Sequence, residues 1–124
     1  MPTVLGVGRV PKSLDTVSTI WIAPATTPCS VTGQIACGAN LIAFTTGRGS
    51  VSGYKPTPRI KLATNTEMYD RMDEDIDINC GDIITDGVSL EAKGREILEL
   101  FLRIASGEET KSEALGFGEA EFVR

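Results

Sequence analysis

The chain contains no histidine. That removes the commonest general base near neutral pH, the commonest metal ligand, and any Ser–His or Cys–His pair. Acid–base chemistry here falls to Lys, Asp, Glu, Tyr or Cys. The three cysteines, Cys29, Cys37 and Cys80, are odd in number and well separated, with no CxxC. This argues against a disulfide framework and a zinc site, and favours small buried thiols in a reducing compartment. No apolar run approaches the roughly 20 residues that span a bilayer. The opening MPTVLGVGRVPK lacks the charged start and long apolar stretch of a signal peptide. Basic charge is in deficit, with 12 Lys and Arg against 17 Asp and Glu, so the basic face of a nucleic-acid or membrane-surface binder is missing. Aromatics are sparse, and Trp21, Tyr54 and Tyr69 are too scattered to form a stacking platform for bases.

What is present is the material of one α/β domain of 124 residues. STIWIA (18–23) predicts a strand, ended by the breaker cluster PATTP. Ser30 is placed to cap a small-residue helix over VTGQIACGA, closed by Gly38 or Asn40. LIAF (41–44) reads as a short buried strand, followed by the irregular segment GRGSVSGYKPTP and a further strand, RIKLA (59–63). Asn65 or Thr66 caps a short helix, TEMYDRM. In DEDIDINCGDII, period two sets Asp75, Asp77 and Asn79 on one face and Ile76, Ile78 and Cys80 on the other. The clearest element is a helix over residues 90–106, capped by Ser89 and stopped by Gly107. Its expected apolar stripe is Leu90, Ile97, Leu98, Phe101, Ile104 and Ala105. Strands alternating with helices predict a Rossmann-like single domain, with a short, largely parallel sheet flanked by helices.

The candidate site begins at FTTGRGS (44–50), where a strand runs into two glycines around Arg48. It is neither a GxxxxGK[ST] loop nor a GxGxxG fingerprint, since position 52 is Ser. What remains is a bent backbone with an arginine beside it, the pair suited to a carboxylate or phosphate; a plain tight turn is the alternative, and the two threonines and the arginine beside the glycines favour binding. Lys61 alternates with Ile60 and Leu62. It reads either as a solvated lysine on a sheet face or as a strand-end lysine that pairs with an acidic substrate or acts as a base. The run Asp73, Asp75, Asp77, Asn79 fails as a calcium loop, with Ile78 where glycine and Ile84 where glutamate belong. It reads as a solvated acidic face, with Asp77 and Asn79 the inward-facing polar contacts.

Three stretches, TGQIACGANLIAFTTGRGS, KPTPRIKLATNTEMYDRMDEDIDINCGDI and ASGEETKSEALGFGEAEFV, occur in that order. Together they resemble the C-terminal part of the altronate/galactarate dehydratase family, from about Ser30 to Val123; residues 1–29 carry little of that pattern. The resemblance implies a cytoplasmic hydro-lyase that removes water from a sugar acid to give a 2-keto-3-deoxy acid. It also implies a divalent metal, iron or manganese, held mainly outside this chain; no metal ligand is expected here. Family members are several times longer, so N-terminal and middle dehydratase domains are the expected partners, with a homo-oligomer as a further possibility, and the chain alone is expected to be inactive. Such chemistry takes a proton α to a carboxylate and expels the β-hydroxyl. In that scheme Arg48 and the Gly47–Gly49 backbone clamp the acid, and Lys61 neutralises a second carboxylate or developing charge. Thr45, Thr46, Asn65 and Asn79 bond the sugar hydroxyls, with Asp77 a further polar contact. A non-catalytic anion-binding or regulatory module and a structural dimerisation domain are the alternatives.

Overall fold

The computed structural model describes residues 3–5, 19–21, 27–36 and 38–118, and the chain divides into two compact units. In the first unit, β1 (Thr3–Leu5) pairs in parallel with β2 (Thr19–Trp21), Thr3 opposite Thr19. Helix α1 (Thr27–Ala36) follows, with Val31 and Thr32 buried. It starts three residues before the expected cap, so Ser30 lies inside it and accepts from Gln34 Nε2 at 3.5 Å. Pro28 permits this early start, because in a first turn its missing N–H would have no helical partner. Cys29 lies in α1, and Cys37 falls outside the described residues.

The second unit is a three-stranded parallel sheet in the order β3-β4-β5. The strands are β3 (Ile42–Thr46), β4 (Arg59–Ala63) and β5 (Ile78–Asn79). Ile42 stands opposite Arg59, Phe44 opposite Lys61 and Thr46 opposite Ala63, while Ala63 stands opposite Asn79 on the other side. Helices α2 (Thr66–Arg71), α3 (Asp82–Thr85), α4 (Leu90–Ala105) and α5 (Lys111–Ala114) complete it. Three of them begin on side-chain caps, each of a kind that contributes about 1 kcal/mol. Asn65 Oδ1 accepts Met68 N–H at 2.8 Å, and Ser89 Oγ accepts Ala92 N–H at 3.1 Å. Thr110 and Glu113 bond reciprocally as a capping box.

Helices cover both faces of the sheet. On one, Ile60, Leu62 and Ile78 pack with Leu100 and Ile104 of α4, joined by Ile97, Phe101 and Cys80. On the other, Ala63 packs with Met68 of α2 and with Ile76. The buried line of α4 runs through Lys93, Leu100 and Ile104, so the expected stripe is rotated. Leu90 and Leu98 are 74% and 58% exposed, and Leu100, absent from that stripe, is core. Lys93 can occupy the buried line because its Nζ bonds Asp82 Oδ2 at 2.6 Å and Glu96 Oε2 at 2.5 Å. Burial pushes this ammonium down, but those two hydrogen bonds outweigh it and hold the group above ordinary lysine. The expected alternation from Asp75 onward also begins later. Met72 carbonyl accepts both Asp75 and Ile76 N–H at 3.0 Å, so the chain is still turning there, and Ile76 joins a different cluster from Ile78 and Cys80.

Candidate functional site

Parallel strands bring their carboxyl ends to one edge, the usual ligand side of an open α/β sheet. Here β3 passes into Gly47-Arg48-Gly49, β4 into Thr64-Asn65, and β5 into Cys80-Gly81. Thr46 Oγ1 accepts Gly49 N–H at 3.1 Å, folding the first turn back over its strand. Gly49 sits at φ +102°, a backbone conformation that calls for glycine, and a Cβ there would also displace the flexible end of Met72, whose Sδ would lie at 2.2 Å. Asn65 works in two directions: its Nδ2 donates to Gly47 carbonyl at 3.0 Å while Oδ1 caps α2. Thr64 Oγ1 donates to Thr46 carbonyl at 3.3 Å. These bonds tie the turn after β3 to the turn after β4.

The turn after β5 is tied in similarly. Asn79 Oδ1 accepts Gly81 N–H at 2.8 Å, and its Nδ2 donates to Thr66 Oγ1 at 3.2 Å. Thr66 Oγ1 and Thr85 Oγ1 share a hydrogen bond at 3.1 Å. A Cβ on Gly81 would lie 2.2 Å from Thr66 N and 2.5 Å from Asn65 C, so this turn crosses the start of α2 in main-chain contact.

The expected site residues therefore divide. Thr46, Gly47, Gly49, Asn65 and Asn79 converge at the carboxyl ends, with their amides and the Gly49 N–H engaged within the protein. Arg48 is exposed and makes no hydrogen bond or ion pair among the described residues. Thr45 is exposed and stands opposite Leu62, on the face away from Thr46. Asp77 holds main chain: Oδ2 accepts Lys61 N–H at 2.7 Å and Oδ1 accepts Lys111 N–H at 2.9 Å, joining β4 to α5. Residues that the sequence reading passed over are Thr64, Thr66, Gly81 and, above all, Arg59. The hydroxyl run ATNT was the available signal for the first two.

Lys61 is neither solvated nor at a strand end. It lies at the centre of β4, 0% exposed, and its Nζ has no hydrogen-bond partner. Burial pushes the ammonium below ordinary lysine, only partly opposed by Asp77 and Asp75. Two residues earlier on the same face, Arg59 is 1% exposed. The Cys80 thiol, half-buried and free, is pushed up by burial, which makes it a weak nucleophile. Among the described residues no three of the Cys, Asp and Glu side chains could hold a metal ion together. These residues do not fit the metal that the resemblance implies. No helix among the described residues is long and apolar enough to cross a membrane.

Comparison with known proteins shows the family. The family model described as "D-galactarate/Altronate dehydratase, C-terminal" matches residues 3–124. The chain is 41% identical over 76 residues to galactarate dehydratase (L-threo-forming) of Escherichia coli strain K12, covering 61% of this chain and 14% of that protein. It is 34% identical over 116 residues to altronate dehydratase of Bacillus subtilis strain 168, covering 94% of this chain and 23% of the relative. A third relative, (2R)-sulfolactate sulfo-lyase subunit beta of Chromohalobacter salexigens, is 34% identical over 102 residues, 82% of this chain and 25% of its own length. The chain thus spans a quarter or less of these relatives. With a parallel sheet whose carboxyl-end turns carry TTGRG and ATNT, and a family model that matches it from residue 3 to its last, the chain belongs to the galactarate/altronate dehydratase C-terminal family.

Proposed function

We propose that this chain is the substrate-contacting C-terminal part of a cytoplasmic hydro-lyase that removes water from altronate- or galactarate-type acids to give 2-keto-3-deoxy acids. The observation that carries the reading is Arg48. It is a cation without a partner among the described residues, on a turn that Thr46 and Asn65 hold in place at the carboxyl end of the sheet. A guanidinium so presented suits a carboxylate, which it can bind through two parallel N–H bonds. The names of the relatives support the class: two denote dehydration of hydroxy acids and one the loss of a sulfo group from another hydroxy acid. Each is an elimination beside a carboxylate. The second N–H of the Asn65 amide and of the Asn79 amide offers a polar contact for the hydroxyls. The divalent metal expected for the full enzyme takes its ligands from outside the described residues. The remaining domains of the longer relatives complete the site.

The test is a titration of the isotope-labelled chain with galactarate, altronate and phosphate, followed by NMR in wild type and Arg48→Ala. Shifts at residues 45–50 and 64–65 for the sugar acids, lost there in the variant, are expected. An equal response of these residues to phosphate, or one that survives at them in the variant, overturns the substrate clamp in favour of a generic anion-binding module.

A further inference from the structure

Arg59 and Lys61 form a second feature that the reading above does not use. Alternation along β4 puts both side chains on one face, about 7 Å apart along the strand, and both are sealed from solvent. The guanidinium of Arg59 is held on two sides. Its plane lies over the Phe44 ring, with Cζ 3.9 Å from the centroid, and Nη1 donates to Ser52 Oγ. Nε and Nη2 have no partner. These two nitrogens form one edge of the guanidinium, whose N–H bonds run parallel and match the two oxygens of a carboxylate. Lys61 Nζ, also without a partner, adds a third set of donors on the same face.

Among the described residues no carboxylate is in hydrogen-bond or ion-pair contact with this pair, and Asp77 and Asp75 act on Lys61 only through space. The ion pairs among the described residues are Lys93–Asp82, Lys93–Glu96 and Arg103–Glu108. Asp77, though close enough to act on Lys61 electrostatically, has both oxygens on backbone N–H groups. Two buried like charges repel one another, and an unpaired buried charge is costly unless an opposite charge reaches it. Loss of the proton from Lys61 relieves only one of them, because arginine keeps its charge.

We propose that the Nε–Nη2 edge of Arg59, with Lys61 Nζ beside it, is a binding site for the carboxylate of a small molecule. The occupant is small because side chains exposed by 1% and 0% leave no surface on which an acidic protein segment could dock. The cover is the irregular segment 47–58, which contributes Ser52 and the buried Tyr54 beside the guanidinium. This site is independent of the Arg48 clamp. Arg59 lies at the amino end of β4, level with Ile42, whereas Arg48 follows the carboxyl end of β3.

The probes are sodium acetate and sodium malonate, titrated into the full chain against sodium chloride at matched ionic strength. The readouts are the Arg59 Nε–H and Lys61 Cε–H resonances. The expected result is a saturable shift of both with the carboxylates and none with chloride, with affinity at least about tenfold weaker in Arg59→Met, as loss of a charge-assisted bidentate pair implies. Methionine keeps an unbranched stem over Phe44; if that variant fails to fold, Lys61→Met must instead weaken the Arg59 shift. A flat Arg59 Nε–H resonance in the wild type overturns the proposal, as does an equal response to chloride. Shifts that appear only when an acidic peptide is added would place the site at a protein contact and also overturn it. In Arg48→Ala the Arg59 response persists, so failure of the sugar-acid clamp and failure of this site are read separately.

Discussion

The two faces of β4 are equally buried and chemically opposite. One carries Ile60 and Leu62 into an apolar cluster with α4; the other carries Arg59 beneath an irregular segment and a buried Lys61 before ending in Ala63. On the first face burial is itself the stabilising term, about 25 cal/mol for each Å² of apolar surface. On the second, burial acts against the groups buried and is tolerated because the apolar face, the strand ladder and Asp77 hold the strand in place. Stability and ligand chemistry are thus assigned to opposite sides of one five-residue strand.

Substitutions that separate the two faces sharpen this contrast. The largest loss is expected from Leu100→Ala, which opens a hole against Ile60 and Leu62. A drop of about 3 kcal/mol in urea unfolding at unchanged slope is the expected result. Asp77→Asn comes next. It leaves one of the Lys61 and Lys111 N–H groups facing an amide N–H, and a loss of about 2 kcal/mol by the same measurement would show the carboxylate to be a structural clamp.

Lys61→Met is expected to reverse the sign, gaining about 1 kcal/mol near neutral pH because it removes an unpaired buried cation. Its pH dependence follows from burial. The folded chain holds the Lys61 proton less tightly than the unfolded chain, so wild-type stability rises with pH between the lowered folded value and the ordinary value of 10.5. The advantage of the variant therefore shrinks across that window; an advantage that grows would mean Lys61 has a partner. Arg48→Ala, exposed and unbonded, should move stability by no more than about 0.5 kcal/mol. A larger loss would make the TTGRG turn a folding element.

Much of this was legible in the sequence. The bounds of β4, the Asn65 and Ser89 caps and the stop at Gly107 were written in local chemistry and appear where expected. Strand β3 runs two residues past LIAF, because Thr45 and Thr46 favour extended backbone and find partners in Leu62 and Ala63. The charged face of β4 was not legible. An alternation of apolar and charged residues reads as inside and outside, and it is the packing of Ser52 and Tyr54 at Arg59 and of Met68 and Ile76 at Ala63 that makes the second side interior. The phase of α4 was missed for a related reason: the buried line includes Lys93, whose place depends on Asp82 from a four-residue helix too short to leave a pattern. Asp77 was read as a polar contact facing inward. That its oxygens bind main chain rather than ligand depends on α5, 34 residues further on.

The close crossing at Gly81 bears on how the crevice can move. Where a side chain separates two turns, a rotamer change lets them part or approach. Here main chain rests on main chain, with a Cβ position only 2.2 Å from Thr66 N, so the turns after β4 and β5 behave as one rigid jaw. The bonds from Asn65 Nδ2 to Gly47 carbonyl and from Thr64 Oγ1 to Thr46 carbonyl fasten the turn after β3 to that jaw, so a ligand at the carboxyl ends meets a surface set before it arrives.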